Sequence, residues 1–297
     1  MKTNIIYVLL ITITLFNCKG NIEPKHKGEV EVDGFKVSKP IADFRFSNNN
    51  APKISVHRGG KGILNYPENT LETLQYVNNR INGIYEIDVA KTKDGVLVLM
   101  HDNSIDRTTT GSGLIANLTY KELQTYNVVD DYGNKTKYKV PLFSEVLKWC
   151  KANNVVLTID IKRSVPQKDV IEAVKAVNAE NVSIIITYNL EQAKSAYALA
   201  PELLLSVSAR NQEELNRLLN SNIPTQNMLA FTGTRLSNPS LFKQLHDKNI
   251  LCMLGTLGNL DKQAEARGDG LYLKWMDDGI DIIATDRPFA VNNAINK

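Results

Sequence analysis

The chain has 297 residues, with 35 Lys and Arg against 32 Asp and Glu, and a formal net charge of +3. This length and its 43% of apolar residues allow a large folded core, which argues against an intrinsically disordered chain. The charges are scattered, and no dense Lys/Arg block of the kind that follows a nucleic-acid backbone is present, so we expect no nucleic-acid partner.

The first eighteen residues have the pattern of an export signal. Lys2 precedes an apolar run at 5–16, which has the length of a signal-peptide core and is too short to span a bilayer as a helix. The run ends at Cys18 in Leu-Phe-Asn-Cys, which is similar to a bacterial lipobox. We therefore predict a signal peptide at 1–18 and an exported lipoprotein of a bacterial cell envelope, anchored to the membrane through Cys18. The alternative is a plain secretory signal with an incidental cysteine.

Residues 19–50 are polar and rich in Lys, Asn and Glu, which predicts a tether that could include one packed strap. The folded domain is predicted at 51–297. Within it, Cys150 and Cys252 lie in apolar surroundings, which favours two buried free thiols over a single disulfide.

From residue 54 onward, short β-branched runs alternate with longer segments of helical period, which predicts parallel strands joined by crossover helices. Nine runs qualify as strands: 54–56, 84–89, 96–100, 155–161, 182–187, 203–207, 228–231, 250–254 and 282–284. A closed α/β barrel needs eight. The turn Lys93-Asp94-Gly95 predicts a hairpin, so the run 96–100 is expected to fold back as the extra strand.

The intervening segments show the helical period of apolar residues. They predict helices at 68–79, 119–124, 144–153, 167–178, 190–200 and 212–219.

Two of the predicted strands carry polar side chains on one face. Glu86 and Asp88 are two positions apart, so on a strand both project from the same side. Thr158, Asp160 and Lys162 share a face in the same way, while isoleucines occupy the opposite one. Because the outer face of a barrel strand packs on helices, we expect these polar side chains to point inward.

Three converging carboxylates repel one another and are costly to desolvate unless a cation joins them. Ligands that are all oxygen favour a hard ion, so we predict one divalent cation, Mg²⁺ or Ca²⁺, held by Glu86, Asp88 and Asp160. The alternative is that Glu86 and Asp88 pair with Lys or Arg on a solvated edge.

Two of the four histidines, His57 and His101, follow directly after strand-like runs, where catalytic groups of barrels gather. A histidine gives and takes a proton near neutral pH, so two of them facing a scissile bond can supply a base and an acid. Arg58 is a suitable fork for phosphate oxygens. His26 and His246 are expected to be solvated.

Several short motifs follow one another in a recognisable order. They are His57-Arg58-Gly59, Pro67-Glu68-Asn69-Thr70, Glu86-Ile87-Asp88-Val89, Thr92-Lys93-Asp94-Gly95, His101-Asp102, Asp106-Arg107-Thr108-Thr109-Thr110-Gly111, Val140-Pro141-Leu142 and Ala284-Thr285-Asp286-Arg287-Pro288. Each is weak alone, but their order from residue 54 to 290 resembles the glycerophosphodiester phosphodiesterases.

The resemblance implies a distorted TIM (β/α)8 barrel with a small insertion near the active site, at about 103–139. It implies hydrolysis of a small-molecule glycerophosphodiester to glycerol 3-phosphate and an alcohol. It also assigns roles: Glu86, Asp88 and Asp160 as metal ligands, His57 and His101 as general acid and base, Arg58 and Lys162 against the phosphate, and Glu68 and Asn69 in the same site.

Two positions depart from the family pattern. Asp160 stands where the family usually has Glu, and the stretch around Cys252 lacks the Trp that commonly lines the pocket. The alternatives are therefore the same site acting on another phosphodiester, as in sphingomyelinase-D-like or inositol-phosphodiester-like enzymes, or a lipoprotein that binds a phosphorylated ligand without catalysis. The sequence leaves the oligomeric state open.

Overall fold

The structure is a computed structural model that describes residues 30–32, 35–48 and 50–296. The predicted export signal, its Cys18 and the first part of the predicted tether lie outside the described residues. Within the described part, none of the helices is long and apolar enough to cross a membrane.

The strands confirm the predicted alternation. They are β1 (Val30–Val32), β2 (Phe35–Val37), β3 (Ile54–Val56), β4 (Ile84–Lys91), β5 (Leu97–Leu99), β6 (Leu157–Ile161), β7 (Ser183–Thr187), β8 (Leu204–Ser208), β9 (Met228–Phe231), β10 (Cys252–Gly255) and β11 (Ile282–Thr285). Eight of them, β3, β4 and β6 to β11, pair in parallel, and β3 contacts both β11 and β4, so the barrel closes. The strand β5 pairs antiparallel with β4, as the predicted hairpin requires.

Most of the helices connect the barrel strands and cover the outside of the barrel. They are α1 (Lys39–Asp43), α2 (Leu71–Asn78), α3 (Tyr120–Leu123), α4 (Phe143–Asn153), α5 (Gln167–Ala176), α6 (Leu190–Leu199), α7 (Gln212–Leu219), α8 (Pro239–Asp247), α9 (Asn259–Arg267), α10 (Gly270–Asp277) and α11 (Pro288–Ile295). All six predicted helices are present.

The start of one helix was predicted too early in the sequence. The helix α2 starts at Leu71, three residues later than predicted, because the Thr70 side chain caps it by accepting from the Thr73 N–H. Glu68 and Asn69 consequently lie in the loop before α2, and Asn69 adopts a left-handed backbone with φ 55°. The loop position turns both side chains toward the barrel mouth, where they contact site residues.

Apolar side chains alternate between the two faces of the barrel strands. Ile87 and Val89 of β4 belong to the large cluster between strands and helices, together with Leu147 of α4. Ile184 and Leu204 belong to a second cluster inside the barrel. Burial of both faces explains the nearly continuous apolar runs in the sequence.

The segment before the barrel supplies the packed strap. Ile41 and Phe44 are fully or almost fully buried, and they join the cluster inside the barrel. Ser38 N–H donates to the Glu202 carbonyl at 3.0 Å, and Ser47 N–H donates to Asn249 Oδ1 at 2.7 Å. Packed structure therefore begins before residue 50, inside the segment predicted as a tether.

The predicted insertion packs around an apolar cluster that it shares with the β4–β5 hairpin. Ile105 and Leu123 of the insertion are buried together with Val98 of β5 in a cluster separate from the other two. Gly111 lies against the Tyr126 ring so closely that an added Cβ would be 2.5 Å from it. The insertion is therefore a packed subdomain at the mouth of the barrel rather than a loose loop.

The sequence also predicted the surroundings of three residues outside the site. Cys150 and Cys252 are buried free thiols, as predicted. The expectation of a solvated His246 was wrong: its Nε2 lies 2.9 Å from Asp281 Oδ2, and its ring stacks on Phe46 at 3.8 Å. The charged neighbours of His246 on α8 suggested solvent, but Phe46 of the strap covers the ring.

Candidate active site

The first part of the site follows β3. Arg58 adopts a left-handed backbone, φ 54°, which is unusual for a residue with a side chain. Two hydrogen bonds hold it there: its N–H donates to Glu86 Oε2 at 2.7 Å, and its carbonyl accepts from the Asn69 N–H at 2.8 Å. A backbone of this kind persists only where the surroundings enforce it, and such residues cluster at functional sites.

The three predicted acids converge on neighbouring strands. In the parallel pairing of β4 with β6, Asp88 stands opposite Asp160 and Glu86 stands opposite Thr158. Ligand oxygens of Glu86, Asp88 and Asp160 all lie within 4.8 Å of one another. The structure thus brings together the acids that the sequence predicted to point inward.

Lys162 and Asn69 hold the most buried of these acids, Asp88. Lys162 Nζ lies 2.6 Å from Asp88 Oδ1 and 3.4 Å from Asp160 Oδ2. Asn69 Nδ2 donates to Asp88 Oδ2 at 2.7 Å, and the Asp88 N–H donates to Asn69 Oδ1 at 3.0 Å. Asn69 therefore fixes the position of Asp88 from the loop before α2.

The charges of the acids are only partly balanced. Burial, followed by the charges of Asp88 and Asp160, raises the pKa of Glu86 well above its usual range. Burial also raises the pKa of Asp160, against the attraction of Lys162. One lysine therefore does not neutralise three close carboxylates.

A cation fits this donor set. Among the described residues, Asp160 Oδ1 and Thr158 Oγ1 are buried without a hydrogen-bond partner, and both residues line the cavity at the barrel mouth. Buried polar atoms are normally paired, so these two have unused capacity toward a bound group. Mg²⁺ and Ca²⁺ take oxygen ligands, and carboxylates are foremost among them in proteins.

His57 lies beside the acids and is oriented by Asp286. Its Nδ1 is 2.6 Å from Asp286 Oδ1, and its Nε2 is 4.0 Å from Glu86 Oε2. Burial raises the pKa of Asp286, but the hydrogen bond and charge of His57 and the charge of Lys61 outweigh it, so that the pKa is lowered. The ionised Asp286 accepts from Nδ1, which leaves Nε2 of His57 facing the cavity.

A buried network supports Asp286 from below. The Asp286 N–H donates to Asp261 Oδ2 at 2.9 Å. Asp261, 3% exposed, also accepts from the Thr285 hydroxyl at 2.8 Å and from the Tyr272 hydroxyl at 2.9 Å. The position of His57 is thus tied to the core between β11, α9 and α10.

His101 is paired in the same way with Asp102. His101 Nδ1 lies 2.6 Å from Asp102 Oδ1, and Arg107 Nε donates to Asp102 Oδ2 at 2.7 Å. The hydrogen bond from Arg107 is the main reason why the pKa of Asp102 lies well below its usual range. His101 Nδ1 is therefore the donor to an ionised carboxylate, and its Nε2 is left for the cavity.

Glu68 lies between two arginines. Arg58 Nη1 donates to both of its oxygens, at 2.8 and 3.1 Å, and Arg107 does so through Nη2 and Nη1, at 2.7 and 3.1 Å. Burial raises the pKa of Glu68, but Arg107 and Arg58 outweigh it, so that the pKa is lowered. Glu68 therefore holds the guanidinium groups of Arg58 and Arg107 in place as a hydrogen-bond acceptor.

Four residues that contact this machinery were given no role from sequence. Asp102, Arg107 and Asp286 stand inside the recognised motifs, so their position next to the histidines and in the final strand motif was an available signal. Tyr188 follows β7 at the cavity rim, and burial together with the charge of Asp160 raises the pKa of its hydroxyl. No local pattern distinguishes it.

The cavity continues past the acids between apolar side chains. Its far wall includes Phe231, Met253 and Leu257. Trp275 is 2% exposed and packs edge-on against Tyr272, so it is a packing residue. Among the described residues that line this cavity there is no tryptophan.

A comparison with known proteins matches this geometry. The model of the glycerophosphoryl diester phosphodiesterase family matches residues 57–289. The chain belongs to this family. Every predicted site residue of the barrel lies within the matched range.

Relatives and solved structures agree with the family assignment. An uncharacterised protein of Bacillus subtilis, YqiK, is 34% identical over 158 residues, which are 51% of this chain and 64% of that protein. A glycerophosphoryl diester phosphodiesterase structure from Parabacteroides distasonis is 28% identical, with a TM-score of 0.79, and the match covers 91% of this chain and 93% of that one.

A more distant structure shows the fold alone. It is an Oleispira antarctica phosphodiesterase in complex with sn-glycerol-3-phosphate, at 21% identity and a TM-score of 0.67, with 83% of this chain and 98% of that chain covered. The chain spans less than two thirds of the length of the curated relatives that it matches first.

Proposed function

We propose that this protein hydrolyses glycerophosphodiesters to glycerol 3-phosphate and an alcohol with the help of one divalent cation. The observation that carries the proposal is the arrangement at the barrel mouth. Three carboxylates lie within 4.8 Å of one another, and two His–Asp pairs open into the same cavity. The Oleispira complex, which holds sn-glycerol-3-phosphate in a barrel of the same fold, supports this class of product.

Glu86, Asp88 and Asp160 would hold the cation, Mg²⁺ or Ca²⁺. When bound, such an ion neutralises negative charge on phosphoryl oxygens and on the attacking oxygen. Lys162 keeps its ammonium between Asp88 and Asp160, where it adds positive charge next to the phosphate. Arg58, fixed by Glu68, directs its guanidinium to the same group.

The two histidines move the protons. Each imidazole has its Nδ1 committed to an aspartate, so each offers Nε2 to the substrate. In the first step one neutral Nε2 takes the proton of a substrate hydroxyl that attacks phosphorus, and one protonated Nε2 gives a proton to the departing alcohol, which leaves a cyclic phosphate. In the second step water opens the cyclic phosphate to glycerol 3-phosphate, and the same two groups move the protons in the opposite direction. Asp286 and Asp102 hold the two rings in this orientation through their contacts with Nδ1 while the reaction proceeds.

Hydrolysis of a panel of glycerophosphodiesters tests this proposal. The purified full-length chain is stripped with chelator, then supplied with Mg²⁺, Ca²⁺ or Mn²⁺, and release of glycerol phosphate is followed. We expect activity that disappears with chelator and returns with one of the ions. The control is His57→Ala, which keeps the acids and should bind the ion without turnover.

A different diester is the second candidate substrate, and the apolar wall of the cavity favours it. Met253 and Leu257 belong to the stretch in which the family commonly has a tryptophan, and together with Phe231 they line the cavity, which changes the shape available to the alcohol half. Activity on a sphingophospholipid or an inositol phosphodiester, with none on glycerophosphodiesters, would move the substrate and keep the mechanism. No release from any diester would favour a phosphate-binding protein without catalysis.

We propose in addition that the mature protein is an exported lipoprotein anchored through Cys18. The signal-like run at 5–16 and the lipobox-like sequence support this. Labelling with a fatty-acid analogue should be lost in Cys18→Ser, and labelling that survives the substitution would refute the anchor.

A further inference from the structure

We propose that Arg107, a residue of the insertion, is a positioning residue that fixes His101 and Arg58 relative to each other. This inference rests on the proposed hydrolysis. Arg107 lies outside the acid cluster but donates to two carboxylates that serve different parts of the machinery. Asp102 orients His101, and Glu68 fixes Arg58.

The contacts form one continuous chain across the site. Arg107 donates to Asp102 through Nε at 2.7 Å and to Glu68 through Nη2 and Nη1 at 2.7 and 3.1 Å. Glu68 passes the restraint on to Arg58, whose backbone N–H in turn donates to Glu86. The imidazole of His101 and the acid Glu86 are thereby linked through charge-assisted hydrogen bonds, which are stronger and more directional than neutral ones.

Only a guanidinium group fits this double task. Its donors lie in one rigid plane, so Nε addresses one carboxylate while the two Nη atoms address the other. A lysine has one compact ammonium on a flexible stem and cannot span both partners in fixed geometry. The shape of the side chain matters here as well as its charge.

The turn that carries Arg107 is held by the core of the insertion. Ile105 is fully buried in that core, and Thr108 and Thr109 are 5% exposed. Asp131, also in the insertion, lies 3.9 Å from Arg107 Nη1 and accepts from the Gly62 N–H at 2.6 Å. The insertion therefore packs on the loop after β3. This contact fixes the position of Arg107, and Arg107 in turn fixes His101 relative to Arg58.

Steady-state kinetics on Arg107→Ala and Arg107→Lys measures the effect. We expect Arg107→Ala to lower kcat about tenfold to a hundredfold with KM little changed, as for other outer partners of functional imidazoles. Arg107→Lys should recover only part of the loss. In a His101→Gln background, Arg107→Ala should lose the part of its effect that acts through His101 and keep the part that acts through Glu68 on Arg58. The matched control is Arg217→Ala, which removes an exposed arginine paired with Glu213 along α7.

An NMR signature tests the geometry without relying on turnover. The Nδ1 proton of His101 should give a low-field signal in the wild type, assigned by its loss in His101→Gln. We expect this signal to vanish in Arg107→Ala and to persist in Arg217→Ala.

An unchanged His101 signal in Arg107→Ala would overturn the inference. So would full activity of Arg107→Lys, or a loss confined to KM, which would place Arg107 on the substrate. A wild type that hydrolyses no diester would refute the proposed function, and the NMR signal would still decide the positioning role.

Discussion

The two His–Asp pairs at the barrel mouth have similar local geometry but different support. The His57 side is held from the core, because Asp286 receives its orientation through Asp261, which is 3% exposed. The His101 side is held from the insertion, because Asp102 is fixed by Arg107, whose side chain is 43% exposed. Burial secures one histidine, and ion pairing near the surface secures the other.

This difference separates two properties of the protein. Residues that support His57 also close the core between β11, α9 and α10, so changing them should affect folding stability as well as activity. Residues that support His101 are more exposed, so changing them should affect activity with a smaller effect on stability.

The largest effect is expected for the histidines themselves, where the two sides should behave alike. His57→Gln and His101→Gln should each lower kcat/KM on the order of 10²- to 10⁴-fold, because each removes a proton-transfer group. Phosphate ester release by purified variants measures this. Nearly full activity in either variant would remove that histidine from the mechanism.

The aspartate partners come next. Asp286→Asn and Asp102→Asn should each lower kcat about tenfold to a hundredfold, because the amide can present its NH₂ to Nδ1 and reverse the imidazole tautomer. Comparison of kcat for the two variants, with Asp247→Asn on the exposed face of α8 as control, shows whether both pairs work. A loss on one side alone would mean that only that histidine requires a fixed tautomer.

Stability should then distinguish the two sides. Asp261→Ala leaves the Tyr272 and Thr285 hydroxyls and the Asp286 N–H without their acceptor, which should cost about 2–4 kcal/mol of unfolding free energy. Arg107→Ala removes a partly exposed guanidinium but also takes one of two cationic partners from the buried Glu68, so it should cost less than Asp261→Ala, about 1–2 kcal/mol. Urea unfolding of both variants measures the two losses of unfolding free energy. Equal losses would contradict the expected difference in stability between the two sides.

The smallest effect is a pH dependence on the His101 side. Because Arg107 lowers the folded-state pKa of Asp102, this pair contributes stability above the unfolded pKa near 3.8, and the contribution is lost as pH falls through the folded pKa. The stability difference between wild type and Arg107→Gln should therefore be present at neutral pH and shrink in strong acid. It should also shrink with added salt. A difference that grows in acid would have the wrong sign.

The barrel could be predicted from sequence because parallel strands buried on both faces leave continuous apolar runs. The inward acids were visible for the same reason, since Glu86, Asp88 and Asp160 interrupt an otherwise apolar alternation. Both signals are local, and both were confirmed by the strand pairing of β4 with β6.

The support of the histidines could not be predicted in this way. Asp286 is 229 residues from His57, and Arg107 is 39 residues from Glu68, so neither pairing leaves a periodic trace. The start of α2 was missed for a different reason: the helical period extends back over Glu68, whereas the capping Thr70 determines the true first turn.

The proposed cation site and the roles of the two histidines can be checked together in a crystal structure with a divalent cation and glycerol 3-phosphate. We expect one ion in contact with Glu86, Asp88 and Asp160, with the phosphate against Arg58 and Lys162. We also expect Nε2 of His57 and of His101 to lie within hydrogen-bond reach of the phosphate group, from different sides. An ion bound away from the three carboxylates, or a phosphate that neither histidine can reach, would contradict this expectation.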